Sequence, residues 1–171
     1  MSTLLNDAPA RMVPRAPAGA EAAPSDTRLG VLIGQRRWLV DLGEAGEIVP
    51  LPPVTPVPLT QDWFGGLVNL RGALFTVVDL ARFEGGAPTP VDKDTRLLAF
   101  GQRLQFNAAI LVSRMLGLRA QSALFARAEP AGAPAPPAWQ GAAWVDEHGH
   151  DWHELRLAQL VRDERFLQVG R

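Results

Sequence analysis

Proline is the residue that most restricts what this chain can fold into. Of its 15 prolines, four lie before residue 27 (Pro9, Pro14, Pro17, Pro24), five lie within 50–58 and four within 128–138. Proline fixes φ and has no N–H to donate, so none of these stretches forms a helix interior or a central strand. The run Pro50-Leu-Pro-Pro-Val-Thr-Pro-Val-Pro58 reads as an extended crossing with polyproline character, and 128–138 reads as a long loop. The N-terminal stretch adds many Ala and Gly to its prolines, and residues 1–27 are expected to be a flexible tail.

The segments between the prolines read as short strands punctuated by glycine. Leu29–Ile33 and Arg37–Leu42 flank Gly34, and Leu67–Arg71 and Ala73–Val78 flank Gly72, where the turn calls for a residue tolerant of positive φ. Arg96–Phe100 pairs with Phe106–Val112, and Ala142–Asp146 with Asp151–Leu155 around His148-Gly149. Many short strands joined at glycine turns predict a mostly β fold, a barrel or a sandwich. Helical pieces are brief. Asp79 is placed to N-cap a turn through Phe83, stopped at Gly85 or Gly86, and Leu157–Phe166 has the apolar spacing of a closing helix. Trp63 and Phe64 read as core anchors. Arg71, alternating away from the face that carries Val68 and Leu70, is expected to reach solvent or a partner.

Composition removes most chemistries. There is no cysteine, so thiol nucleophiles, disulfides and cysteine-ligated zinc are excluded, and the cytosol is the natural compartment. Seventeen basic against 18 acidic residues leave a net charge of −1, too little field for a non-specific nucleic-acid binder. Lys93, the only lysine, sits in an Asp-Lys-Asp turn, and no phosphate loop, dinucleotide fingerprint or nucleophile elbow occurs. No apolar run approaches the roughly 18 residues of a membrane span. The strongest chemical signal is Asp146-Glu-His-Gly-His-Asp-Trp-His-Glu154, which gathers His148, His150 and His153 beside four carboxylates. A metal-dependent hydrolase built on this cluster is the alternative reading, but no histidine remains elsewhere to complete such a site. A polar hairpin turn explains the cluster without a metal, and neither a catalytic residue nor a cofactor is expected. The carboxylates Asp41, Glu44 and Glu47 read as solvated faces of a short turn.

One set of residues is more specific. Glu47-Ile48, the proline-rich crossing, Gly66-Leu-Val-Asn-Leu-Arg-Gly72 and Phe75-Thr-Val-Val-Asp-Leu80 resemble the CheW-like chemotaxis coupling proteins, and the resemblance covers about 28–165. The family pattern is Glu-Ile near the end of a short helix, then G-x-x-N-L-R-G and P-x-x-D-L. Thr76 stands where the family usually has proline, and Ser113 where an aspartate is common. Trp63-Phe64-Gly65-Gly66 and Asp79–Gly85 look closest to the PilI branch, which serves twitching motility driven by type IV pili.

The resemblance implies two interleaved five-stranded, SH3-like β-barrels over residues 28–167, followed by a short C-terminal end at 168–171. It implies a non-enzymatic cytoplasmic scaffold that couples the tip of a chemoreceptor to the regulatory domain of a CheA-type histidine kinase. Flagellar chemotaxis rather than pili is the nearer alternative. Carried over residue by residue, the partner-binding positions are Glu47, Ile48, Asn69, Arg71 and Gly72.

Overall fold

The computed structural model describes residues 26–171. The expected tail therefore falls outside the described residues up to position 25, and Thr27 already belongs to the first strand. Among the described residues eleven strands form two sheets. The first takes β1 (Thr27–Ile33), β2 (Arg36–Asp41), β8 (Arg114–Ala120), β9 (Leu124–Ala126), β10 (Gln140–Asp146) and β11 (Asp151–Leu155), in the order β8-β1-β2-β11-β10-β9. The second takes β3 (Ala45–Pro50), β4 (Phe64–Leu70), β5 (Ala73–Val78), β6 (Arg96–Phe100) and β7 (Ala108–Val112), in the order β3-β6-β7-β5-β4. Neighbours are antiparallel except β2 with β11 and β5 with β7. The described residues also form three short α-helices, α1 (Leu80–Phe83), α2 (Leu157–Leu160) and α3 (Glu164–Leu167). Among the described residues no helix is long and apolar enough to cross a membrane.

The four predicted strand pairs all form. The two-lobed β architecture holds, with sheets of six and five strands rather than five and five. Three elements depart from expectation. Glu47-Ile48 lies on strand β3, not at a helix end, because Ala45–Pro50 pairs with β6 across a bulge. Strands β8 and β9 follow β7 where sequence gave no strand signal. The closing helix is two helices, because Asp163 accepts from the N–H groups of Arg165 (2.9 Å) and Phe166 (3.3 Å) and starts a new one.

The side-chain alternation sorts the apolar residues into three cores. All five residues of β7 are buried. Ala108, Ile110 and Val112 face the seam between the lobes, whereas Ala109 and Leu111 pack with Val68, Val77, Leu97 and Ala99 on the other face. In the same way Trp38 and Val40 of β2 enter the seam, and Leu39 joins Leu124 and Trp152 within the six-stranded lobe. A strand buried on both faces reads as a continuous apolar run, which is why β7 shows no polar alternation.

Aromatic rings fill the seam. Phe166 of α3 stacks on Trp63 (centroids 5.6 Å, 12°) and on Phe100 of β6 (6.3 Å), and meets Phe83 of α1 edge-on. Trp139, which ends the 128–138 loop, touches both Phe83 and Trp38 at 5.9 Å. Trp63 is a core anchor, as expected, and Phe64 is partly buried against the same cluster.

The proline-rich crossing closes the five-stranded lobe. Leaving β3 at one edge of the sheet, it reaches β4 at the other, where Thr55 and Leu67 exchange two backbone hydrogen bonds of 2.8 Å. Gly66 makes this approach possible. Its φ is +133°, and a Cβ there would lie 2.3 Å from the Thr55 carbonyl oxygen. Farther along, the Gln61 N–H donates to the Val169 carbonyl and the Arg171 N–H to that of Leu59, so the C-terminal end is docked on the crossing. Buried Asp79 caps α1 and also accepts from the N–H and hydroxyl of Thr89, which pins the loop after α1. The two departures from the family pattern find partners as well. The Thr76 N–H donates to the Asn107 carbonyl, a bond proline cannot make, and Ser113 Oγ accepts from the Gly34 N–H.

The two hairpin glycines differ in consequence. Gly66→Ala combines positive φ with a backbone clash and is expected to destabilise by more than about 2 kcal/mol, whereas Gly72→Ala, with open space around its Cβ, carries only the strain of about 1–2 kcal/mol. Urea denaturation of both variants checks this. Equal losses would show that the Thr55 crossing yields easily.

Candidate functional site

The five residues singled out on sequence gather at one end of the five-stranded lobe. Arg71 and Gly72 are the two central residues of the β4–β5 turn, with φ +52° and +84°. This corrects the sequence reading of Arg71 as a strand residue, since β4 ends at Leu70 and the Leu70–Ala73 pair closes the hairpin. Positive φ at both central positions is the twist that matches a two-residue hairpin. The turn aims Arg71 outward, its side chain 81% exposed, and Nη2 donates to Glu47 Oε1 at 2.7 Å.

This contact spans the lobe. Glu47 belongs to β3 at one edge of the sheet and Arg71 to the hairpin at the other. Exposed on both sides, such a pair contributes about 0–1 kcal/mol to folding. Close to these positions in the chain are two exposed apolar residues, Ile48 (40%) and Leu74 (61%). Ile48 follows Glu47 on β3, and Leu74 sits opposite Asn69 in the β4–β5 register. Leu74 escaped sequence reasoning, although its alternation with Phe75, which packs against the lobe's core, marks it as outward-facing. Asn69 turns its side-chain oxygen onto the Gly72 N–H at 2.9 Å. The lobe therefore exposes a paired guanidinium and carboxylate, and two aliphatic side chains near them in sequence.

The histidine cluster has a different organisation. Asp146 is its centre. It is 8% exposed and accepts from the His148 and His150 N–H groups (both 2.9 Å) and from the Trp152 indole N–H (2.9 Å), and it lies 3.2 Å from the His150 ring. Burial by itself would raise its carboxyl, but these hydrogen bonds outweigh burial and hold it well below the usual carboxylate range. The three histidines diverge. His148 is exposed beside Glu147, His150 leans on Asp146, and His153 packs against Trp38 with ring centroids 5.9 Å apart. Burial and the nearby Arg36 charge lower the His153 pKa. Among the described residues no group of three or more His, Asp or Glu is arranged to hold a metal ion. Glu44 is likewise structural rather than merely solvated, since its Oε2 accepts from the Leu157 N–H at 2.8 Å and starts α2. Asp41 pairs with Arg28 at 3.0 Å.

Two measurements follow from this geometry. Asp146→Asn, which leaves buried donors facing an amide, is expected to destabilise by about 2 kcal/mol at neutral pH. The folded pKa is depressed, so the Asp146 contribution is present above its ordinary value of 3.8 and is lost as pH falls below it. The difference between wild type and variant therefore narrows in acid unfolding, and a difference constant down to pH 2 would contradict the assignment. Chelation by EDTA is expected to leave the thermal midpoint unchanged; a drop of many degrees would reveal a structural metal.

Comparison with known proteins places the chain in a family. Residues 28–165 match the family model described as the CheW-like domain. The chain is 31% identical over 109 residues to the protein PilI of Pseudomonas aeruginosa, covering 64% of this chain and 61% of that protein, so it spans less than two thirds of this relative's length. It is 28% identical over 108 residues to FrzA of Myxococcus xanthus, covering 63% of this chain and 67% of FrzA. Among solved structures, the scaffolding protein TtCheW from Thermoanaerobacter tengcongensis superposes with a TM-score of 0.62 over 78% of this chain and 89% of its own, at 18% identity, a likeness of fold. On the match over 28–165, joined to an architecture of two curled sheets, this chain belongs to the CheW-like domain family.

Proposed function

We propose that this protein is a non-enzymatic cytoplasmic adaptor that couples the cytoplasmic tip of a chemoreceptor to the regulatory domain of a CheA-type histidine kinase. The system it serves is a chemosensory one that controls twitching motility by type IV pili. The observation that carries the reading is the exposed Glu47–Arg71 pair at the β4–β5 turn, with exposed Ile48 and Leu74 on the adjoining strands. Both charged residues are positions at which the chain resembles the family, and an exposed pair contributes only about 0–1 kcal/mol to folding.

An exposed ion pair flanked by apolar side chains suits a regulated protein–protein contact. The apolar residues supply area to bury, while the charges steer association and fix register. Two lobes joined by one aromatic seam give separate surfaces to separate partners, which is what a scaffold requires. The similarity to PilI supports assignment to pili over flagella, and FrzA, the second curated relative, is a further member of the same comparison.

Arg71→Ala and Glu47→Ala are each expected to leave the thermal midpoint within a few degrees of wild type. In the complex, the guanidinium becomes desolvated against a partner, where truncation costs about 2 kcal/mol or more, roughly a thirtyfold loss of affinity. Titration of the purified kinase regulatory domain and of receptor fragments, alongside thermal melts, tests this. Undiminished binding of both partners by both variants would sink the reading, and unfolding of either variant would make the pair structural.

A further inference from the structure

Three features of the β4–β5 tip bear on how Arg71 is presented. The turn is left-handed at both central residues, a conformation that glycine adopts freely and that strains a residue with a Cβ, here Arg71. The Arg71 guanidinium donates to Glu47 across the lobe and to no group of its own hairpin. One side chain stabilises the turn locally. Asn69 Oδ1, on β4 one pair below the closing Leu70–Ala73 pair, accepts the Gly72 N–H at 2.9 Å.

We propose that Asn69 is a positioning residue, whose side-chain oxygen locks the left-handed turn that carries the Arg71 guanidinium to Glu47. It acts through Arg71 and does not itself touch a partner. The proposal rests on the reading of the Glu47–Arg71 tip as a coupling surface. Its physical logic is preorganisation. A long arginine on a mobile tip would lose rotamer and backbone freedom at each association, and fixing both beforehand leaves more of the contact energy as affinity. Asparagine suits the task because a short side-chain carbonyl reaches a nearby backbone N–H without disturbing the strand.

The test compares wild type, Asn69→Ala and Asn69→Asp as full chains. Aspartate keeps an acceptor oxygen, loses the amide N–H donors and adds a negative charge, so the variants are compared at high ionic strength, which screens it. By NMR, Asn69→Ala should speed exchange of the Gly72 amide about fivefold, the equivalent of one net hydrogen bond, and move the Arg71 backbone coupling constant away from its left-handed value. Asn69→Asp should retain both signals. Binding of a CheA-type regulatory domain should weaken about fivefold in Asn69→Ala and recover in Asn69→Asp, with thermal midpoints close to wild type. Unchanged Gly72 exchange and Arg71 coupling in Asn69→Ala would overturn the proposal. So would poor binding by Asn69→Asp with the turn signals intact, which would make the amide a direct contact. If wild type binds no kinase domain, the coupling reading fails, and the two turn signals still decide whether Asn69 positions Arg71.

Discussion

The stacked rings between the lobes are the interaction on which the rest depends. Phe166 lies against Trp63 and Phe100, Phe83 meets Trp63 edge-on, and Trp139 links Phe83 to Trp38. These residues come from both sheets, helix α1, the last helix and the segments that lead into β4 and β10. Each ring buries on the order of 150–250 Å², and paired aromatics add about 0.5–1.5 kcal/mol beyond area. Cations seal the outer rings: the Arg36 guanidinium sits 4.6 Å from the Trp38 ring centre, and that of Arg165 sits 4.8 Å from that of Phe83. With so much of the folding energy in one seam, both lobes keep a fixed relation while their outer faces remain free for other uses.

The lobes are built to leave those faces free. In the five-stranded lobe, closure is made by backbone: Thr55 pairs with Leu67 at a point that only glycine at 66 allows. The exposed Glu47–Arg71 pair spans the same two edges but adds little stability. Nature of the contact and energy of the fold are thereby separated. In the six-stranded lobe the polar turn at 146–153 does the opposite, since buried Asp146 gathers four donors and its histidines serve the hairpin.

Much of the fold was legible in local pattern. Gly34 and Gly72 marked turns because both adopt positive φ, Asp79 marked a helix start, and the proline run at 50–58 excluded everything but an extended crossing. Strand β3 was not legible, because Gly46 and Pro50 carry weak β signals and its pairing partner β6 is remote in sequence. Strand β8 was missed for a related reason: Gly117 and two arginines hide an edge strand that pairs only with β1. The single closing helix was wrong because a capping carboxylate at Asp163 outweighs apolar spacing over so short a segment.

By itself, then, the sequence determined the β class, the turn positions, the absence of a cysteine or lysine site, and the identities of Glu47, Asn69 and Arg71. Those properties are local, set by φ preferences, side-chain chemistry and order along the chain. Tertiary structure decided that Glu47 and Arg71 meet, that Leu74 is left exposed, and that Glu44 caps a helix 113 residues away. It also decided that three adjacent histidines face different neighbours. Such contacts depend on how a curled sheet brings its two edges together and how a turn rotates successive side chains. No short window of sequence encodes that curvature.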